Sequence, residues 1–294
     1  MVKTEEIGQL FNDQRGHLRA VAYRMLGSAN EAEDAVQEAW LRLNRSDTEA
    51  IHNLEGWLTT VVARVCLDVL RSRKSRREDA LDDQTVDPDM IPAKDASDPE
   101  QEALLADSVG LALLVVLDTL APAERVAFVL HDVLDLSFDE IAPIVGRTPT
   151  ATRQLASRAR RRVRGGEALP ESDLQTQRPV VEAFLTALRA GDFDGLLAVL
   201  DPDVVVHTDI PGVQGAPREI RGASKWAKGA VAFSRMAKAV QPALINGAVG
   251  LILAPNGRLS RVLSFRIANG KIVDVEIIAD PERLKHLELG VLED

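Results

Sequence analysis

The stretch SFDEIAPIVGRTPTATRQLASRARRRVR, residues 137–164, decides the fold of the middle of this chain. Ser137 and Glu140 form a capping box ahead of apolar residues at helical spacing, which predicts a short amphipathic helix. Gly146 then interrupts the pattern, and Thr148 is suited to cap a second helix. A helix, a tight turn and another helix together predict a helix-turn-helix.

The second of these helices is predicted to begin at Pro149, which fits a first helical position, and to end near Arg164. Seven arginines and no acidic residue lie from Arg147 to Arg164, which favours contact with DNA phosphates. The predicted inner side is narrow: Ala151, Leu155, Ala159 and Val163. The predicted DNA contacts are Thr150, Arg153, Gln154, Ser157, Arg160, Arg161 and Arg164. The second helix of such a motif enters the major groove, although a solvated basic helix at the end of a bundle is the alternative.

The composition is typical of a globular protein with more than one domain, since the 294 residues are 46% hydrophobic. One cysteine, Cys66, excludes an internal disulfide framework, and the five histidines show no metal-ligand spacing. We therefore expect no metal and no other cofactor. The chain shows no secretory signal and no run of about 18 apolar residues, so we expect a cytoplasmic protein without membrane insertion.

The formal charge of -10 is concentrated in one segment. Residues 78–107 contain eleven acidic residues and a single basic one, Lys94, so the remainder of the chain is neutral overall. Within that segment, residues 78–100 lack periodicity and are rich in Asp and Pro, which predicts a flexible acidic linker.

Residues 1–77 are predicted to form a helical domain. Its second helix opens with a capping box of Ser28 and Glu31. The outer side of that helix carries Asp34, Gln37, Glu38 and Arg42. A third helix, from about Trp57, ends in a basic run that forms a second candidate DNA surface: Arg64, Arg71 and Lys74. Favourable placement of cations at a helix C-terminus is the structural alternative for this run.

Two further regions complete the predicted architecture. Helical patterning in residues 101–120 and 122–133 makes a four-helix unit with the helix-turn-helix, ending near 166. After a break at residues 165–177, the pattern becomes that of an α+β domain. We predict helices over about 179–190 and 224–238, and strands over 204–207, 243–253, 259–267 and 271–278, the last three in an antiparallel meander.

Together, residues 8–164 resemble a bacterial extracytoplasmic-function sigma factor, the promoter-recognition subunit of RNA polymerase. Residues 32–40, AEDAVQEAW, resemble the helix that binds the polymerase clamp, and residues 57–71 resemble the helix that recognises and melts the −10 element. The helix-turn-helix resembles the module for the −35 element. The resemblance implies core RNA polymerase and promoter DNA as partners, with Asp34, Gln37, Glu38 and Arg42 on polymerase.

Residues 167–294 are similar to the SnoaL-like domain fused to one group of these factors, and residues 280–284, DPERL, resemble a signature of that group. This similarity implies regulation by the protein's own C-terminal domain, without a separate anti-sigma protein. The predicted fold class is multidomain: two all-α sigma domains, 1–77 and 101–166, joined by the linker 78–100 and followed by an α+β SnoaL-like cone domain, 167–294. The sequence leaves open whether that domain binds a small-molecule ligand.

Two other functions remain open at the level of sequence. One is a ligand-responsive helix-turn-helix regulator, which leaves the acidic outer side of the second helix without a role. The other is a SnoaL-like cyclase or isomerase, for which His207 and Asp209 share one face of a strand and could act as base and partner. We favour a binding protein with no catalytic residues.

The C-terminus contains a short amphipathic helix. Asp280 is suited to cap it and Pro281 to begin it, with Leu284 and Leu287 on one side. This apolar strip is predicted either to dock on another domain or to cover its own sheet.

Overall fold

A computed structural model describes residues 2–46, 51, 53–82, 110–165, 171–209, 219–234, 236–255 and 258–292. The chain divides into two compact units, Met1–Gly110 with Leu117–Arg160, and Leu111–Val116 with Arg161–Asp294. Within the described ranges, no helix has both the length and the apolar character needed to cross a bilayer. The domain boundaries at 77, 100 and 166 stay predictions.

The first unit begins with three helices: α1 (Val2–Leu26), α2 (Ala29–Arg45) and α3 (Leu54–Asp82). They pack on one another through fully buried apolar side chains such as Leu18, Val36 and Leu58. Ser28 caps α2, because its Oγ accepts a hydrogen bond from the Glu31 backbone N at 3.4 Å. The Glu31 carboxylate binds Arg73 Nε at 3.1 Å, so its predicted return bond to Ser28 gives way to a contact with α3.

The helix α3 is longer than the sequence predicted. It continues through Asp82, so residues 78–82, predicted as the start of the linker, are helical. Glu78, Ala80 and Leu81 are good helix formers, and no Gly or Pro follows until Pro88. The rest of the predicted linker and the first part of the predicted helix 101–120, residues 101–109, lie outside the described residues.

Four more helices follow: α4 (Leu111–Asp118), α5 (Pro122–Phe128), α6 (Phe138–Val145) and α7 (Pro149–Val163). A π-helical turn, Val129–Val133, extends α5. The capping box of α6 is confirmed, because Ser137 Oγ accepts from Glu140 N at 3.3 Å and Glu140 Oε2 accepts from Ser137 N at 2.9 Å. These bonds to Ser137 hold the pKa of the exposed Glu140 carboxyl below its usual value.

The turn between α6 and α7 confirms the predicted helix-turn-helix. Gly146 has a φ of 69°, in the left-handed region where glycine is favoured, and it ends α6. Thr148 Oγ1 then accepts a hydrogen bond from Ala151 N at 3.2 Å and so caps α7.

The second unit contains a seven-stranded sheet with helices, which confirms the predicted α+β fold. In chain order its elements are α8 (Glu171–Ala190), α9 (Phe193–Val199), β1 (Leu200–Thr208), β2 (Glu219–Arg221), α10 (Ala223–Ala232), β3 (Val240–Ile245), β4 (Ala248–Leu253), β5 (Arg261–Ala268), β6 (Lys271–Ile278), α11 (Pro281–Lys285) and β7 (Leu289–Gly290). The strand order is β2-β1-β6-β5-β4-β3-β7. Strands β3 to β6 form the predicted antiparallel meander, and β1 lies parallel to β6.

Several boundaries in this unit differ from the prediction. The helix predicted over about 179–190 begins at Glu171, inside the predicted break at 165–177. The segment 243–253, predicted as one strand, divides into β3 and β4 at a tight turn where Asn246 and Gly247 both have positive φ. Asn-Gly is a strong signal for a two-residue hairpin. The helix predicted to reach 238 ends at Ala232, and a 3₁₀ turn, Met236–Ala239, follows.

The sheet carries an apolar cluster on each face. The helices α8 and α10 cover one face through Phe184 and Trp226, which stack with ring centroids 5.3 Å apart. The other face packs Ile245 and Ile252 with Val115 of α4. Leu284 of α11 and Leu287, two residues beyond the end of that helix, pack against this second cluster, so the predicted apolar strip covers its own sheet together with the 111–116 segment.

Candidate functional site

The helix α7 presents one continuous exposed face. Its members are Thr150, Arg153, Gln154, Ser157 and Arg161, spaced at three or four residues along the helix. The buried side is formed by Thr152, Ala156 and Ala159, whereas the predicted inner residues Ala151 and Leu155 are only half-buried. Thr152 is buried because its hydroxyl donates to the Thr148 carbonyl at 3.0 Å, which satisfies its polar group.

The arginines of α7 differ in how firmly they are held. Arg153 lies over the ring of Phe138, 5.3 Å from its centroid, which holds it against the first residue of α6. Arg160 pairs with Asp132 and is half-buried. Arg161 is exposed, and so is Arg164, whose backbone forms an antiparallel bridge with Gly290.

The basic surface on α3 is also exposed. Arg64, Arg71 and Lys74 lie on one side of the helix, seven and three residues apart. The guanidinium of Arg71 donates to the carbonyl oxygen of Val145, the last residue of α6, at 3.4 Å. One member of this predicted DNA surface is therefore bonded to the helix-turn-helix within the first unit.

The predicted polymerase surface on α2 combines charged residues with an apolar one. Asp34 and Gln37 are exposed, and half-buried Glu38 accepts a hydrogen bond from Arg42 Nε at 2.9 Å. Leu41 extends the same stripe and is 47% exposed. The sequence analysis did not include Leu41, although its spacing of three from Glu38 and seven from Asp34 would have placed it there.

A buried arginine joins the helices of the first unit. Arg125 is 2% exposed, binds Asp118 at 3.1 Å and donates to the carbonyl of Arg24 in α1 at 3.4 Å. Burial raises the pKa of the nearby Cys66 thiol to about 12, so this thiol stays protonated and is unsuited to act as a nucleophile or metal ligand.

A backbone connection links the end of α7 with the strand β7 inside the second unit. The Val291 N–H donates to the Val163 carbonyl at 2.7 Å. Gly165 lies against Gly290 so closely that a Cβ atom added at Gly290 would overlap the Gly165 backbone. Glycine at 290 is therefore required for this approach.

His207 and Asp209 have separate structural partners. His207 lies 3.7 Å from Asp274 and 4.0 Å from Glu219. Asp209 accepts hydrogen bonds from the backbone N–H groups of residues 279 and 280, and it pairs with Arg283 at 2.6 Å. Asp209 thus holds the start of α11. Because His207 and Asp209 contact different partners, their contacts do not support a catalytic pair.

The cavity of this unit lies on the other side of β1. Val206 and Thr208 are among the residues that line it, whereas His207, which lies between them, points to the opposite face of the sheet. The cavity measures about 240 Å³. Neither candidate catalytic side chain is part of its described wall.

The chain matches two family models and several known proteins. Residues 10–76 match the family model "Sigma-70 region 2" and residues 110–163 match "Sigma-70, region 4". The extracytoplasmic-function RNA polymerase sigma factor SigJ of Mycobacterium tuberculosis is 37% identical over 287 residues, covering 93% of this chain and 91% of that protein. The chain belongs to the extracytoplasmic-function sigma factors.

A further relative agrees in extent with this assignment. The probable extracytoplasmic-function sigma factor SigI of Mycobacterium tuberculosis is 34% identical, and the match covers 99% of both chains. The crystal structure of SigJ aligns at 33% identity over 94% of this chain and 97% of that one, with a TM-score of 0.44. As a sigma factor, the chain binds core RNA polymerase and directs transcription from specific promoters.

Proposed function

We propose that this sigma factor recognises the −35 element with the exposed face of α7. The supporting observation is a one-signed, solvent-facing helix surface held behind a capped turn. Arg153, Gln154 and Ser157 lie nearer the N-terminal end, where such helices contact base edges. Arg161 and Arg164 lie nearer the C-terminal end and are assigned to phosphates, and Arg160 joins them once its pair with Asp132 opens.

The other two assignments follow the region-two match. Arg64, Arg71 and Lys74 bind the −10 element, and their common side of α3 supports this role. Asp34, Gln37, Glu38 and Arg42 bind core polymerase, with Leu41 as an additional apolar contact. An exposed apolar residue within a charged stripe is typical of a protein interface.

Base and phosphate contacts on α7 are predicted to respond differently to substitution. Gln154→Ala should change the preference among −35 sequences by about 1–3 kcal/mol per lost contact, because base-edge bonds carry the discrimination. Arg161→Ala should weaken binding to all sequences alike and flatten the salt dependence. Binding of the holoenzyme to a panel of −35 variants at several salt concentrations measures both effects. If the two variants lower binding to every promoter by the same factor, the assignment fails.

We also propose that residues 167–294 restrain promoter recognition in cis. The second unit includes Leu111–Val116 and residues 161–165, so segments from both ends of the region-four match pack with the C-terminal sheet. Val115 and Val116 lie in its apolar cluster, and Val163 is bonded to Val291. Polymerase or a signal supplies the free energy to change this arrangement.

Three consequences of this proposal concern partners and location. The fused domain takes the place of a separate anti-sigma protein, which is then not required. The protein works in the cytoplasm, where polymerase and promoter DNA are found. It has no catalytic residues of its own, which the separate engagement of His207 and Asp209 supports.

A further inference from the structure

The cavity of the second unit has an apolar wall with very few polar side chains. Phe184, Trp226, Leu253 and Leu263 are among the side chains that line it. Of the described lining residues, Thr208, Arg261 and Trp226 are those that carry polar side-chain atoms, and each of them is able to donate a hydrogen bond. No described lining residue is acidic.

The size of the cavity suits a small organic molecule. An engineered apolar cavity of about 150 Å³ stays dry and binds benzene. By the same proportion, a cavity of about 240 Å³ has room for an apolar body of about ten non-hydrogen atoms. Protein interiors are otherwise close-packed, so a cavity of this size with an apolar lining is suited to bind a ligand.

Arg261 gives the cavity its charge. It begins β5 and lies over the ring of Phe233, 5.7 Å from the centroid. Phe233 is 47% exposed, which locates this pair at the cavity mouth. No carboxylate of the described residues lies within ion-pair distance of Arg261, whereas Arg266, on the opposite face of the same strand, lies 3.7 Å from Asp274. A guanidinium beside an apolar cavity binds carboxylates well.

We propose that this cavity binds an apolar monocarboxylate, whose body lies between α8, α10 and the sheet and whose carboxylate pairs with Arg261. Arg261 is cationic and no acidic side chain is among the described lining residues, so the site favours an anion over a cation. The ligand is inferred from size, apolar lining and charge together.

This site is connected to the restraint proposed above, and that regulatory part of the inference rests on the proposed function. Val240 of β3 and Leu253 of β4 line the cavity. Ala243 and Ile245 of β3, and Ile252 of β4, face the opposite side, where they pack with Val115 and Val116. A ligand that shifts these two strands therefore also changes the packing of the 111–116 segment.

The test is a calorimetric titration of the full-length protein with 2-naphthoate as the probe. We expect saturable binding of one molecule per chain. Arg261→Gln should weaken this binding by at least about tenfold, because a charge-assisted hydrogen bond is lost. The matched control Arg266→Gln, on the other face of β5, should bind 2-naphthoate like the wild type. The neutral analogue 2-naphthalenemethanol should bind the wild type and Arg261→Gln equally.

A second variant tests the location of the site without touching its charge. Gly229 lines the cavity from α10, and a Cβ atom added there meets no atom within 4 Å, so the fold has space for a larger residue. Gly229→Leu should abolish binding of 2-naphthoate while keeping the melting temperature of the protein within a few degrees.

Three results would overturn the proposal: no saturable binding of 2-naphthoate to the wild type, equal loss in Arg261→Gln and Arg266→Gln, or unchanged binding in Gly229→Leu. The titration contains neither polymerase nor DNA. Its failure would leave the restraint in cis standing, and failure of the restraint would leave the binding site standing.

Discussion

Replacing Gly290 with Val is expected to raise promoter-specific transcription about five- to 150-fold at limiting core polymerase, the range of typical coupling between two sites. A Cβ atom at this position overlaps the Gly165 backbone, and backbone is unable to move aside as a flexible side chain does. The bridge between Arg164 and Gly290 and the bond from Val291 to Val163 must therefore open. None of these residues except Arg164 is assigned to DNA, so the change acts on the restraint.

The control for this substitution is Gly16→Ala. Gly16 is exposed on α1, and a Cβ atom added there meets no atom within 4 Å. Transcription by this variant should equal that of the wild type. If Gly290→Val and the wild type transcribe equally at matched amounts of folded protein, the contact between β7 and the end of α7 does not restrain promoter recognition.

Replacing Glu38 with Lys is expected to weaken assembly with core polymerase about a hundredfold. Like charges brought together at an interface cost several kcal/mol, and about 2.8 kcal/mol corresponds to a factor of one hundred. In the free protein the substitution removes the ion pair between Glu38 and Arg42. Both side chains of this pair are about 40% exposed. Such a pair is worth under about 1 kcal/mol, so the melting temperature should hardly change. Assembly is measured by titrating core polymerase with labelled sigma factor.

Asp13→Lys provides the matched control, because Asp13 is an exposed acid on α1 and its substitution changes the net charge equally. This variant should assemble like the wild type. A large fall in melting temperature with intact assembly of Glu38→Lys would show that Glu38 is structural.

The parts of the fold that local sequence signals govern were predictable. The capping box at Ser137, the glycine at 146 and the cap at Thr148 act within a few residues of one another, and the structure confirms all three. Asp280 likewise caps α11, accepting from Arg283 N at 2.9 Å. Capping needs only a side chain and the next turn of backbone, so it is visible in the sequence.

The contacts that join distant segments were not predictable, because they depend on tertiary packing. Arg125 appeared as an ordinary helix residue, yet it is buried against the Arg24 carbonyl. Thr152 occupies a buried position on the side of α7 where the apolar spacing had predicted Ala151, and its hydroxyl donates to the nearby Thr148 carbonyl. The Asn246-Gly247 turn is a local signal, but it lies inside an apolar run that was predicted as one strand.

The candidate sites divide in the same way. The exposed faces of α2 and α7 follow from helical periodicity, so their residues could be named from the sequence. The cavity beside Arg261 could not, since its described wall is assembled from residues between 184 and 277 on several strands and helices. His207 and Asp209 were selected as neighbours on a strand, but the lining of the cavity comes from the other face of β1.

The most direct test of regulation in cis is transcription from one promoter by purified core polymerase, comparing the full-length protein with residues 1–166 over a range of sigma concentrations. Because the truncation uncovers Val115 and Val116, the amount of assembly-competent protein is first fixed by titration against core polymerase. The account predicts that residues 1–166 reach half-maximal transcription at a clearly lower concentration than the full-length chain. Identical curves at every concentration would contradict it.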